Sequence, residues 1–191
     1  MAKGRLEAFS DGVIAILITI MVLELKISGG DGWHALRELL PEFLTYLLSF
    51  IFLGIYWNNH HHMLHAATRV NGKVLWANMH LLFWLSLVPA VTGWIGRHPE
   101  SSWAAAVYGS VLLASAFAYL ILQNTLVACQ GAESKLRDAL GDDFKGKISP
   151  ALYVVAIPLA FVHPWISYSL YVIVALMWLV PDPRIESELA R

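Results

Sequence analysis

Apolar residues gather into six long stretches, at about 8–27, 41–63, 74–96, 103–128, 148–163 and 165–181, separated by short polar segments. A transmembrane helix needs about 20 mostly apolar residues, and each stretch meets or approaches that length. The first opens on Glu7, Ser10 and Asp11 and has no small-residue cleavage site after its apolar run, so it reads as a permanent helix and not as a signal peptide. Ile148 to Pro181 carries no formal charge and is too long for one span; His163-Pro164 near its middle splits it into a tight helical hairpin. Pro41 and Ser102 suit helix starts, and Asn71-Gly72 suits the turn between the second and third spans. The pattern predicts an all-α, polytopic membrane fold of six transmembrane helices, with residues 1–191 forming a single domain.

Composition reinforces the pattern. Of 191 residues, 58% are hydrophobic and 14% charged, against roughly 45–50% and about 25% in soluble domains. A soluble enzyme or a nucleic-acid-binding module is excluded on that ground, and a net charge of −1 gives no attraction for an acidic polymer. The single cysteine, Cys129, permits no intrachain disulfide and no Cys-based metal knuckle. Charge also orients the chain. Lys3, Arg5, Arg69, Lys73, Lys135, Arg137, Lys145, Lys147, Arg184 and Arg191 fall on one side, and Lys26, Arg37 and Arg97 on the other, so both termini are expected in the cytoplasm. The fourth span is rich in small residues (Ala104, Ala105, Ala106, Gly109, Ser110, Ala114, Ser115, Ala118), which suits close helix contact.

The informative positions are the polar ones that the spans tolerate. In Arg5-Leu6-Glu7-Ala8-Phe9-Ser10-Asp11-Gly12, Asp11 sits inside span one, where a carboxylate is costly unless paired. Arg5, six positions away, lies about 240° around the helix and does not share its side. Partners at the same depth are available in Trp57-Asn58-Asn59-His60-His61-His62 and in Trp76-Ala77-Asn78-Met79-His80. One reading is a hydrogen-bonded knot that locks span one to spans two and three; the other is a set of interfacial residues reaching for water. His61 and His65 share a helix face at i, i+4, a metal-ligand spacing, yet this stretch offers no Cys, Asp or Glu as a third ligand, and no metal is expected.

Further along span one, Gly12, Ile16, Thr19 and Leu23 lie within about 60° of one another, with Ile20 at the edge. Such a stripe suits a lipid-facing or packed helix whose threonine bonds its own backbone. It equally suits a pore wall, in which rings of Ile and Leu form hydrophobic constrictions and a threonine ring gives an ion one polar stop.

Arg5-x-x-x-Phe9-Ser10-Asp11, continued through Gly12 to Lys26, resembles the signature of the transmembrane protein 175 family, cation channels of lysosomes and endosomes with prokaryotic relatives. Tyr56-Trp57-x-x-His60-His61, Trp76-x-Asn78 and Leu87-Val88-Pro89 extend the resemblance through span three. It implies a chain of one six-helix repeat that assembles as a homotetramer around a central pore lined by the first helix. Ile16, Ile20 and Leu23 are then the successive hydrophobic constrictions and Thr19 the selectivity layer, while Arg5, Phe9, Ser10 and Asp11, with His60 or His61, Trp76 and Asn78, hold the pore helix. The implied function is a leak-type potassium channel in the multi-pass cell (plasma) membrane of a prokaryote. It would pass K+ and, more weakly, other monovalent cations, with no cofactor. A hydrophobic ring offers no ligands, so it dewets when narrow and passes partly hydrated ions when wide. Consistently, the sequence has no Thr-Val-Gly-Tyr-Gly loop and no arginine ladder. Glu24, near the outer end of span one, would concentrate cations at the mouth or else stand as an ordinary solvated surface charge.

The alternative is a proton-coupled secondary transporter that uses Asp11 and the His60–His65 cluster as its relay; inverted repeats or paired broken helices would mark it, and neither is evident. An enzyme is disfavoured, because no nucleophile–base pair or H-E-x-x-H element shares a helix face.

Overall fold

The computed structural model describes residues 3–25, 32–131 and 144–179. Described residues are helical apart from turns and caps: α1 (Lys3–Leu23), α2 (Trp33–Ala66), α3 (Gly72–Ser86), α4 (Val88–Arg97), α5 (Ser102–Gln130), α6 (Phe144–Leu159) and α7 (Pro164–Leu179). The all-α, six-rod architecture is as expected, with α3 and α4 together making the third rod. Among the described residues, four rods are long and apolar enough to cross a membrane: Lys3–Leu23, Trp33–Ala66, Gly72–Arg97 and Ser102–Gln130. The hairpin helices α6 and α7 are shorter, at 16 residues each. Lys26, Lys135, Arg137, Arg184 and Arg191, and the last two residues expected of span six, lie outside the described residues.

Several boundaries depart from the hydropathy pattern. Helix α1 begins at Lys3 and not near residue 8, because its polar first turns pack on the end of α2: Lys3 Nζ donates to the carbonyls of His65 (3.1 Å) and Ala67 (3.0 Å). Pro41 does not start α2; it lies inside a helix that begins at Trp33. Proline lacks the N–H that would reach back one turn, and there Thr45 Oγ1 donates to the Pro41 carbonyl at 2.8 Å. The third span is broken at Leu87. Pro89, in the first turn of α4, has no N–H for the carbonyl one turn earlier, and the Leu87 N–H caps α3 instead.

Other punctuation is as read. Asn71 Oδ1 accepts from Val74 N at 3.0 Å and starts α3, and the residues around His163 turn the chain between α6 and α7. Ser102 is the first residue of α5, whose N-cap is Ser101. Helix α5 stops at Gly131, whose φ of 98° is open to glycine. Arg69 closes that end by donating from Nε to the Cys129 carbonyl (2.9 Å) and from its guanidinium to the Gln130 carbonyl (3.2 Å).

The core runs through α2, α3 and α5, with Leu53, Leu64, Leu81, Leu85, Leu122 and Leu126 fully buried. The small face of α5 admits close neighbours. A Cβ on Gly109 would collide with the Tyr171 hydroxyl, which donates to the Ala105 carbonyl at 3.0 Å. Overpacking of this kind costs about 1–3 kcal/mol. Gly109→Ala is therefore expected to lower the thermal midpoint in detergent by roughly 2–4 °C per kcal/mol lost. An unchanged midpoint would mean that α7 is not seated this tightly on α5.

Candidate pore helix and its polar anchors

Helix α1 has two apolar faces with different fates. Leu6, Ser10, Ile14, Leu17 and Met21 are buried against the rest of the chain. The opposite stripe is left uncovered: Ile16 is 57% exposed, Ile20 42% and Leu23 74%, and Phe9 joins them at 51%. Arg5, Gly12 and Thr19 lie on the same open side. Thr19 Oγ1 donates to the Ile16 carbonyl at 2.8 Å, so its hydrogen is held within the helix while its oxygen stays on the stripe.

Behind the stripe, Ser10, Asn78 and His60 come together, each at most 1% exposed. Asn78 Nδ2 donates to Ser10 Oγ at 3.0 Å, and Ser10 Oγ donates to the Leu6 carbonyl at 2.9 Å. Asn78 Oδ1 lies 2.7 Å from His60 Nε2. A carboxamide oxygen only accepts, so the hydrogen is on His60 Nε2. The bonds form a head-to-tail series from α2 through α3 to the α1 backbone, with every donated hydrogen received. In an apolar interior, where an unmatched polar group is costly, such a series fixes the relative depth of three helices.

The remaining members of the expected knot are placed differently. Asp11 is met by a tryptophan and not by a histidine: Trp57 Nε1 donates to its Oδ1 at 3.0 Å. His61 stacks between Trp57 (ring centroids 5.7 Å) and His65 (6.1 Å) along one face of α2. Trp76 is 79% exposed and stands apart from the cluster within the single chain. Arg5 lies on the open side of α1 and makes no ion pair with Asp11. Among the described residues no three His, Cys, Asp or Glu side chains converge as a metal set.

A second polar series escaped the sequence reading. Ser49 of α2, Thr92 of α4 and Tyr108 of α5 are buried together in the other half of the bundle. Ser49 Oγ lies 2.9 Å from the Tyr108 hydroxyl and 2.7 Å from Thr92 Oγ1, which is 2.7 Å from the Val88 carbonyl. Hydroxyl residues inside apolar spans were the available signal, but each can bond its own helix backbone and so announces no tertiary partner.

The fold and the anchored, one-side-open first helix define a multi-pass helical membrane protein. The chain belongs to the TMEM175 family. Residues 5–89 match the family model described as "Endosomal/lysosomal potassium channel TMEM175". A potassium channel of Chryseobacterium sp. (strain P1-3) is 54% identical over 189 residues, covering 99% of this chain and 98% of that protein. The crystal structure of a lysosomal potassium-selective channel TMEM175 homolog from Chamaesiphon minutus superposes with a TM-score of 0.82 at 30% identity, over 93% of this chain and 96% of that one. The endosomal/lysosomal proton channel TMEM175 of Danio rerio is 38% identical over 87 residues, 38% of this chain and 17% of that longer protein.

Proposed function

We propose that this chain is a potassium-permeable, leak-type cation channel in which four copies surround a central pore lined by α1. Residues 1–191 act as one channel unit, without enzymatic activity, in a prokaryotic cell membrane with both termini cytoplasmic. Ile16, Ile20 and Leu23 form stacked apolar rings, and Thr19 supplies the hydroxyl layer between them. Ser10, Asn78 and His60, with Asp11 on Trp57, hold the helix from behind.

The observation that carries this reading is the uncovered stripe. The side of α1 that the chain leaves open is the side that carries Ile16, Thr19, Ile20 and Leu23, while the polar anchors lie on or beside the covered one. Symmetric copies placed with these stripes inward produce the rings. The potassium assignment draws on the relatives named as potassium channels. It also fits an apolar filter, which favours the cation that gives up water more easily.

The test is purified protein in liposomes with an outward potassium gradient. A flux that a proton ionophore reveals but does not drive supports a channel. Strict dependence on an imposed pH gradient would sink it and favour proton coupling. That second reading has its own observation, the row of rings Trp57, His61 and His65 leading from the Asp11 carboxylate along α2. Varying potassium, sodium and proton gradients separately distinguishes the two.

A further inference from the structure

The buried hydroxyls of Ser49, Thr92 and Tyr108 have three hydrogens to place. Tyr108 is 1% exposed, and among the described residues its hydrogen-bond neighbour is Ser49. If Thr92 donated to Ser49 and Ser49 to Tyr108, the tyrosine hydrogen would have no acceptor in an apolar interior, a costly arrangement. With Tyr108 donating to Ser49, and Thr92 Oγ1 donating to Ser49 Oγ or to the Val88 carbonyl, the tyrosine hydrogen is received and the hydroxyls join α5, α2 and α4. This series has the form of the one at Ser10. It too runs through three helices and reaches a carbonyl one turn back in its last helix.

Its terminus is a helix that needs fixing. Helix α4 has only 10 residues and is separated from α3 at Leu87, where Pro89 removes a backbone hydrogen bond between them. It is nevertheless the neighbour of the far half of α1. Thr92 Oγ1 is 4.0 Å from Met21 Sδ, with Met21 1% exposed on the covered face of α1. Arg97 at the end of α4 pairs with Glu24 just beyond α1 at 3.4 Å. Gly96 brings α4 against α2, since a Cβ there would lie 3.1 Å from the Glu42 backbone.

From this geometry we infer that Thr92, with Ser49 and Tyr108, is a positioning residue for the outer constriction. The hydroxyl series fixes α4 against α2 and α5, and α4 in turn sets where α1 carries Ile20 and Leu23. The Ser10–Asn78–His60 series acts on the other half of α1, so the helix is held independently at two depths. The effect on ions rests on the channel reading above; the effect on α1 does not.

The experiment therefore has two readouts. Leu23→Cys in a Cys129→Ser background is labelled in detergent with a charged maleimide, alone and combined with Thr92→Val or Thr92→Ser. Potassium and sodium fluxes are measured in liposomes for the same Thr92 variants with Leu23 intact. Thr92→Val, which keeps the shape and removes the hydroxyl, is expected to change the labelling rate and lower the potassium-to-sodium flux ratio. Each change should be about threefold, the size set by one interhelical hydrogen bond in a membrane. Thr92→Ser should restore both.

An unchanged labelling rate overturns the inference, even if the thermal midpoint falls, because the series is then structural only. Changed labelling with an unchanged flux ratio overturns the role in ion discrimination. If wild-type protein carries no flux, the channel reading fails, and labelling still decides whether α4 positions α1. Should Thr92→Val fail to assemble, Tyr108→Phe cuts the series at its first donor and must change the Leu23→Cys labelling rate by a similar factor; an unchanged rate there overturns the inference.

Discussion

Replacing Ile16 with asparagine is expected to raise potassium flux by about tenfold or more, and Leu23→Ser should act in the same direction. An apolar ring resists ions because water withdraws from it, and in the proposed four-copy pore one polar side chain per subunit would place four hydrogen-bonding groups at one level. A tenfold gain requires a barrier drop of only about 1.4 kcal/mol, less than the preference of one buried polar group for a wet over a dry surrounding. The structure lets the substitution be read cleanly. Ile16 and Leu23 are exposed on their own chain, so neither contributes to the core that folds it. The same change at Ile14, 1% exposed on the opposite face, would place an amide inside the bundle and abolish folding. Flux through reconstituted protein of unchanged thermal midpoint is the measurement. A correctly assembled Ile16→Asn protein with wild-type flux removes that residue from the constriction.

How far the sequence alone reaches differs from element to element. Six rods and the turn at Asn71-Gly72 were legible because burial in lipid leaves long apolar runs and short polar turns. The break at Leu87 was not expected, because apolar residues continue on both sides of Pro89 and hydropathy is blind to a missing N–H. Pro41 misled in the other direction. It suits a helix start, yet α2 already has two turns before it and accommodates the lost bond. The stripe on α1 was legible as a period, but 3.6-residue spacing states only which residues share a face. That the face is left open by the rest of the chain is a tertiary fact. The same holds for the anchors. Depth along the spans brought Ser10, Asn78 and His60 into one layer, whereas choosing Trp57 over a histidine for Asp11 depends on helix rotation, which residue order does not contain. Ser49, Thr92 and Tyr108 carried no mark beyond being hydroxyls in apolar surroundings.

Asn78→Leu is expected to cause the largest loss of stability among the polar positions around α1, because Asn78 serves two partners at once. Leucine has the same branched side-chain skeleton with larger terminal groups, so the change empties no space and removes the carboxamide. It leaves the His60 Nε2 hydrogen without its acceptor, in a residue 1% exposed, and takes the donor from Ser10. Ser10 keeps its bond to the Leu6 carbonyl and loses less than His60 does. An orphaned buried donor costs about 1–3 kcal/mol, and a lost interhelical bond in a membrane averages about 0.6 kcal/mol. A total of about 2–3 kcal/mol is a large share of ordinary protein stability. At roughly 2–4 °C per kcal/mol for a chain of this size, the midpoint should fall by about 5–10 °C, with a matching loss of the proposed tetramer on size exclusion. Asp11→Ala supplies the contrast. Its bond to Trp57 lies at an exposed position, and removing it should cost at most about 1 kcal/mol. Adding Ser10→Ala to Asn78→Leu should cost less than the two separate effects combined, because the series is already severed. Full additivity, or an Asn78→Leu midpoint within a degree of wild type, would show that the three side chains are neighbours and not an anchor.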